Sequence, residues 1–224
     1  MKYVIKKYKS GYRVMSSNGY YLTKHPVSYE TARKQQISAF RSMKGGSISG
    51  LGNEDYALSD DDINKLLGGT KIFRYPELKN MNNINDAFDK FGRAMILYLT
   101  TDENTGHWIC MLKKGNNIEY FDPYGGYKPD DERKWLTIQQ LEELGQDEPI
   151  LTHMLKGYKV TSNPYKFQGE TTERGKAINT CGRHCVTRLL LGHLSIKDYA
   201  DLIKSSGVNP DNFVTMFTYQ LLKK

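Results

Sequence analysis

The stretch Gly106-His107-Trp108-Ile109-Cys110-Met111-Leu112-Lys113-Lys114-Gly115-Asn116-Asn117-Ile118-Glu119-Tyr120-Phe121-Asp122-Pro123-Tyr124-Gly125 sets two apolar runs, HWICML and IEYF, on either side of a polar break. Short runs rich in aromatic and β-branched residues around Lys-Lys-Gly-Asn-Asn predict an antiparallel β-hairpin. With the turn at 113–117, His107 falls opposite or nearly opposite Asp122, and facing residues have Cβ atoms roughly 4.5–5.5 Å apart. A carboxylate there accepts the imidazole Nδ1–H and fixes its tautomer.

Working outward, Arg93–Thr100 (RAMILYLT) and Tyr158–Ser162 read as further strands. Ser59-Asp60-Asp61-Asp62 caps a helix through Leu67, stopped by Gly68-Gly69. Helices are also predicted over Asn82–Phe91, Lys134–Leu144, 196–204 and 210–222. Cys181–Leu194 carries apolar residues at 185, 186, 189, 190 and 194, which is helical spacing. Strands in the middle and helices at both ends predict an α+β fold, a central mixed or antiparallel sheet flanked by helices.

Asn179-Thr180-Cys181-Gly182 opens the helix at 181, so the Cys181 thiol sits at the positive end of a helix macrodipole, which favours thiolate. Gly182 leaves room for a substrate backbone. Cys181, His107 and Asp122 then offer a nucleophile, a base and an orienter from three segments, as covalent cysteine catalysis requires. Each also has a plainer reading. A His beside Trp packs on a strand, Asp-Pro starts a turn, and a Cys on an apolar helix is a small core residue. His184 and His193 are rival bases, but His184 lies three residues along the same helix and points away from its mouth, and His153 has no motif around it.

The chain has 224 residues, 38% of them hydrophobic, with 16 Tyr, 8 Phe and 2 Trp. That suits one domain, or one plus a small appendage, with a real core. No apolar run reaches about 18 residues, so no membrane span is expected. The first residues reach no apolar h-region, so no secretory signal is expected. Three cysteines, Cys110, Cys181 and Cys185, make no disulfide framework and fit a reducing compartment. Cys181, His184 and Cys185 lack a second ligand pair, so no metal and no cofactor are expected.

Residues 1–45 hold ten Lys/Arg and one Glu, a charge of +9, whereas the remainder carries −2. Such a segment attracts polyanions, nucleic acid above all; the plainer reading is a solvated, lysine-rich surface. Lys2, Lys6, Lys7, Lys9, Arg13, Arg33, Lys34 and Arg41 are the candidate contacts. Lys2–Lys7, Tyr12–Met15 and Tyr20–Leu22 read as strands, with a turn at Asn18-Gly19. A helix over Thr31–Phe40 follows, capped by Ser28. The run YYLTKHPVSYETARKQQISAF resembles a short basic module at the ends of various large-DNA-virus proteins. Glycines and serines at 45–52 mark a linker. Three units are predicted: a basic β-hairpin–helix module (1–45), a linker (46–53) and a larger domain (54–224).

Gly-His-Trp, then Phe-Asp-Pro-Tyr-Gly, then Thr-Cys-Gly-Arg-His-Cys together resemble the clan of adenovirus maturation proteases and ubiquitin-like-protein-specific cysteine proteases. The likeness spans about residues 54–220 and is greatest to maturation proteases of eukaryotic DNA viruses and virophages. It implies a cysteine endopeptidase with His107 as general base, Asp122 as its orienter and Cys181 as nucleophile. The family places an oxyanion-hole Gln about six residues before the nucleophile. Gly175 stands there in this chain, and the nearest candidate is Gln168, thirteen residues upstream, with the Cys181 backbone N–H completing the hole. Trp108 is expected beside the catalytic His, shielding the ion pair. The resemblance further implies cleavage after Gly-Gly-type sites in capsid and core precursors, activation by viral DNA, and a place in the virion and the cytoplasmic virus factory. A monomer is expected, with self-cleavage near Gly46 or Leu51 releasing the basic module. The same chemistry fits a deconjugase for a ubiquitin-like protein or an acyltransferase; a basic virion protein with a decayed site is the non-enzymatic alternative.

Overall fold

The computed structural model describes residues 3–8, 11–16, 52, 54–171 and 177–223. Strands β1 (Tyr3–Tyr8) and β2 (Gly11–Ser16) pair antiparallel, Lys6 against Arg13. Lys7 is exposed. The turn at Asn18-Gly19, the strand at 20–22, the helix at 31–40, the linker and Lys2, Lys9, Arg33, Lys34, Arg41, Gly46 and Leu51 lie outside the described residues.

The main body is α+β. After helix α1 (Asp60–Leu67) come β3 (Lys71–Arg74), β4 (Arg93–Asp102), β5 (Thr105–Lys114) and β6 (Asn117–Phe121). Then follow α2 (Ile138–Glu143), α3 (Ile150–Met154), β7 (Lys159–Ser162), α4 (Cys181–Leu190), α5 (Ile196–Ser206) and α6 (Pro210–Leu222). The sheet order is β3-β4-β5-β6-β7, parallel at its two outer pairs and antiparallel within. Among the described residues no helix is long and apolar enough to cross a membrane.

The sheet is covered on both faces, which explains why RAMILYLT is apolar throughout rather than alternating. Side chains still alternate with period two. Met95, Leu97 and Leu99 join Trp108, Cys110 and Phe121 against α1, α4, α5 and α6. Ala94, Ile96 and Tyr98 join Ile109, Met111 and Tyr120 in a second core with Tyr75, Leu78, Ile84 and Leu151. Helix α4 is anchored by Arg188, whose Nε and Nη2 donate to the two Glu119 carboxylate oxygens on β6 at 2.6 and 2.7 Å.

Helix α1 begins as its sequence dictates. Asp62 N–H donates to Ser59 Oγ, Ser59 N–H donates back to the Asp62 carboxylate, and Gly68 ends the helix in the left-handed region at φ 61°. Two other predicted helices break up. Over 82–91 only a 3₁₀ turn forms, Ile84–Ala87. The Asn83 side chain accepts from Asn85 N–H, and the Asp89 carboxylate from Phe91 and Arg93 N–H, so side chains take the bonds a helix would need. Over 134–144, a 3₁₀ turn (Asp131–Trp135) stops before Thr137, which starts α2 with its own capping box. Strand β3 and helix α3 fall where no element was expected.

The central hairpin has a different register from the expected one. The ladder pairs Cys110 with Phe121 and Lys114 with Asn117, leaving Gly115-Asn116 as a two-residue turn with Gly115 at φ 60°. The two lysines assigned to the loop are ladder residues, so His107 lies beyond the paired segment and Asp122 just past the end of β6.

Candidate active site

Asn179 fixes the approach to α4. Its N–H donates to Glu54 O at 2.8 Å and its side-chain amide to Asp55 O at 3.0 Å. Cys181 is then the first residue of the helix. The helix lies along β5, where the Cys185 thiol donates to Trp108 O at 3.3 Å. That packing brings the Cys181 thiol beside the His107 ring, where the two line one cleft and each shifts the other's protonation. His107 Nε2 lies 3.0 Å from Asp122 Oδ1. The contact is a diagonal one across the strand end, since the register does not set the two residues face to face. The ring nitrogen that meets the carboxylate also differs from expectation: it is Nε2, not Nδ1.

The electrostatics favour an ion pair. Burial pushes the Cys181 thiol up, but the hydrogen bond and positive charge of His107, with N–H groups of Trp108 and Gly182, more than offset it and leave the thiol below its ordinary range. Burial also disfavours the imidazolium, yet Asp122 and Cys181 together raise His107 to about 10. Burial raises Asp122 as well, and His107 outweighs it, so this carboxyl stays below the usual carboxylate range. These are opposite charges stabilising one another in a dry site.

Gln168 comes to the same place. It is 2% exposed and lines one cleft of about 520 Å³ with His107, Tyr124, Trp135, Ile178 and Cys181. Its Nε2 donates to Ile178 O at 3.2 Å, which fixes which end of the amide is nitrogen, and lies 3.5 Å from the Tyr124 hydroxyl. The Tyr124 bond is long, so a ligand oxygen in the cleft can take that N–H from the hydroxyl. Gly125 makes this possible. It sits at φ 73°, and a Cβ there would lie 2.4 Å from the Tyr165 carbonyl, so only glycine lets the 165–168 segment close onto the Asp122 turn.

Two expectations about neighbours are corrected. Trp108 does not flank the His107 ring; Tyr124 stacks on it at 4.7 Å and 11°, and Trp135 meets it edge-on at 5.2 Å. Trp108 lies in the core under Gly182, where a Cβ would come 3.1 Å from its ring. Gly182 is therefore glycine to admit Trp108, not a substrate backbone. Tyr124 belongs to the quoted Asp-Pro-Tyr-Gly run, but nothing in one sequence marks it, or Trp135, as a wall of the site.

The rival histidines are elsewhere. His153 and His193 are exposed. His184 is fully buried, its Nε2 3.0 Å from Asp211 Oδ1. Asp211, unsuspected from the sequence, also accepts from Thr180 Oγ1 at 2.5 Å and from Gly169 N–H at 2.9 Å. One carboxylate thus ties the residue before Cys181 to the residue after Gln168. Among the described residues no group of three or more His, Cys, Asp or Glu could hold a metal. The arrangement can form a thiolate, move a proton at an imidazole, and donate hydrogen bonds to a developing oxyanion.

No protein-family model matches the sequence. An uncharacterized protein of Sputnik virophage, V9, is 38% identical over 173 residues, which cover 74% of this chain and 95% of V9. Among solved structures, the C-terminal Ulp1 protease domain, in complex with Smt3, the yeast ortholog of SUMO, aligns over 90% of this chain and 100% of that one. The identity is 13% and the TM-score 0.33.

Proposed function

The chain belongs to the family of the uncharacterized virophage protein V9, and we propose that it is a cysteine endopeptidase. The observation that carries this reading is the Cys181 thiol at a helix start, sharing one cleft with a His107 ring whose Nε2 is held 3.0 Å from Asp122. The cleft beside it admits a polypeptide. The Cys181 thiolate attacks a peptide carbonyl carbon, and the oxyanion is received by the Gln168 amide and by backbone N–H of the first turn of α4. His107 gives its proton to the leaving amine as the C–N bond breaks. It then takes a proton from water, which attacks the thioester and releases the acid and the thiolate.

The substrates are capsid and core precursor proteins, cut after Gly-Gly-type sites during virion maturation in the virus factory. Support comes from the motif resemblance and from the aromatic walls, Tyr124 and Trp135, which narrow the cleft next to the thiol. The +9 charge of residues 1–45 supports tethering to viral DNA, and self-cleavage near Gly46 or Leu51 would release that tether. The test is cleavage of Gly-Gly-X peptides by the full chain, with and without DNA, alongside a ubiquitin-like C-terminal conjugate. Loss of cleavage in Cys181→Ala and His107→Ala, with folding intact, is expected. Undiminished cleavage in Cys181→Ala refutes the reading; preference for the conjugate moves it to a deconjugase.

A further inference from the structure

Behind Asp122 the structure buries a second carboxyl group. Glu132, in the 3₁₀ turn Asp131–Trp135, is 2% exposed. The Tyr120 hydroxyl donates to its Oε1, and its carboxyl group lies close enough to that of Asp122 for each to shift the other's protonation. Asp122 Oδ1 is already occupied, by His107 Nε2 at 3.0 Å and Tyr124 N–H at 2.7 Å. Asp122 Oδ2 and Glu132 Oε2 are buried and have no protein donor. Two ionised carboxylates present only acceptors, so a hydrogen bond between them needs a proton on one.

The surroundings say which one. Asp122 has the imidazolium on its far side. Glu132 faces Tyr120 from β6, Tyr98 from β4 and Asp122 itself, with Asp130 nearby on the Tyr98 hydroxyl. The neighbouring Arg133 turns its guanidinium to the carbonyls of Gln146 and Asp147. Among the described residues no Lys or Arg pairs with Glu132, so a second negative charge there has nothing to hold it.

We infer that Glu132 is a neutral carboxylic acid at physiological pH and a positioning residue, its Oε2–H donating to Asp122 Oδ2 so that Asp122 keeps one negative charge and presents Oδ1 to His107. Burial and the Asp122 charge push Glu132 up to about 9, in accord with that geometry. When Glu132 loses this proton, the bond to Asp122 becomes a repulsion between two anions and the orientation of His107 is lost. The catalytic consequence rests on the peptidase reading; the protonation state does not.

Two measurements on the full chain separate these. The first is carboxyl ¹³C NMR of the protein labelled at glutamate, with Glu132→Gln to assign the resonance. The Glu132 signal is expected to titrate near pH 9 and to stay flat through the ordinary carboxylate range; titration within that range overturns the inference. The second is kcat/KM against pH on a cleaved peptide. The wild-type alkaline limb is expected near 9, and Glu132→Gln, which keeps a donor for Asp122 and an acceptor for Tyr120, moves it up to the limb set by His107 at about 10. Glu132→Gln should exceed Glu132→Ala in kcat/KM by about tenfold, because alanine leaves Asp122 Oδ2 and the Tyr120 hydroxyl unpaired. Identical limbs in wild type and Glu132→Gln, or equal rates in the two variants, overturn the positioning role. If no peptide is cut, the NMR titration still decides the protonation and only the peptidase reading falls.

Discussion

Asp211→Asn changes one atom and should weaken both the fold and the oxyanion hole. Asp211 is 1% exposed and accepts three hydrogen bonds: Gly169 N–H at Oδ2, and Thr180 Oγ1 and His184 Nε2 at Oδ1. An Asn with its oxygen toward Thr180 and His184 sets its NH₂ against the Gly169 N–H. Turned the other way, it donates to Thr180 and forces His184 into the Nδ1–H tautomer, and that nitrogen is buried without a partner. Either orientation leaves one buried N–H unpaired, which costs about 1–3 kcal/mol. Urea unfolding with an unchanged m-value measures this. The kinetic effect follows from Gly169 being the neighbour of Gln168. The loss in kcat is bounded by that of a whole oxyanion donor, about 2.7–4 kcal/mol, with KM changing little. A double-mutant cycle with Gln168→Ala settles the route. If Asp211 acts through Gln168, the double variant is no slower than Gln168→Ala. Fully additive losses, or a stability equal to wild type, refute this reasoning.

Gln168→Ala should lower kcat by about 10²–10³-fold at near-constant stability; a near-neutral rate would move the oxyanion donor elsewhere. Gly125→Ala meets the Tyr165 carbonyl and a positive φ together, so it should destabilise by more than the roughly 1 kcal/mol of an ordinary Gly-to-Ala change at a strained site, read as a lowered urea midpoint. Asp122→Asn removes the charge that raises His107, so the imidazolium weakens and the thiolate with it; the pH midpoint of Cys181 alkylation should rise, and a fixed midpoint would show that Asp122 has no hold on the pair. Stability should fall as pH rises from 6.5 to about 10. His107 is raised from 6.5, so its contribution is complete below 6.5 and gone above about 10, and Glu132, raised from 4.5 to about 9, acts in the same direction over its own range. Cys181, lowered from 9.0, acts in the opposite direction and offsets His107, so a flat profile of unfolding free energy over that interval contradicts the raised Glu132.

What was legible in the sequence is what depends on short range. The α+β order, the capped helix at 60–67, the central hairpin and a cysteine at the start of α4 follow from local propensity, capping chemistry and hydrophobic period. Side-chain bonds at Asn83, Asp89 and Thr137 already lay in the sequence, but their victory over helix propensity at 82–91 was settled by packing of Ile84, Ala87 and Phe88 in the second core. The hairpin register turned on whether two lysines were turn or ladder. The pairing of β3 with β4 and of β6 with β7 is parallel and between distant segments, which no local pattern encodes.

The site divides in the same way. His107, Asp122 and Cys181 could be picked out by residue type and motif order, and Gln168 only through what the resemblance to the protease clan implies. The ring nitrogen that meets Asp122, the stacking of Tyr124 and Trp135, the exchange of roles between Trp108 and the aromatic walls, and the two carboxyl groups at Asp211 and Glu132 could not. A side chain's charge state and orientation depend on which groups surround it once water is gone. Those groups come from segments far apart in the chain, so the amino-acid sequence names the chemistry here while the folded contacts set its geometry and its protons.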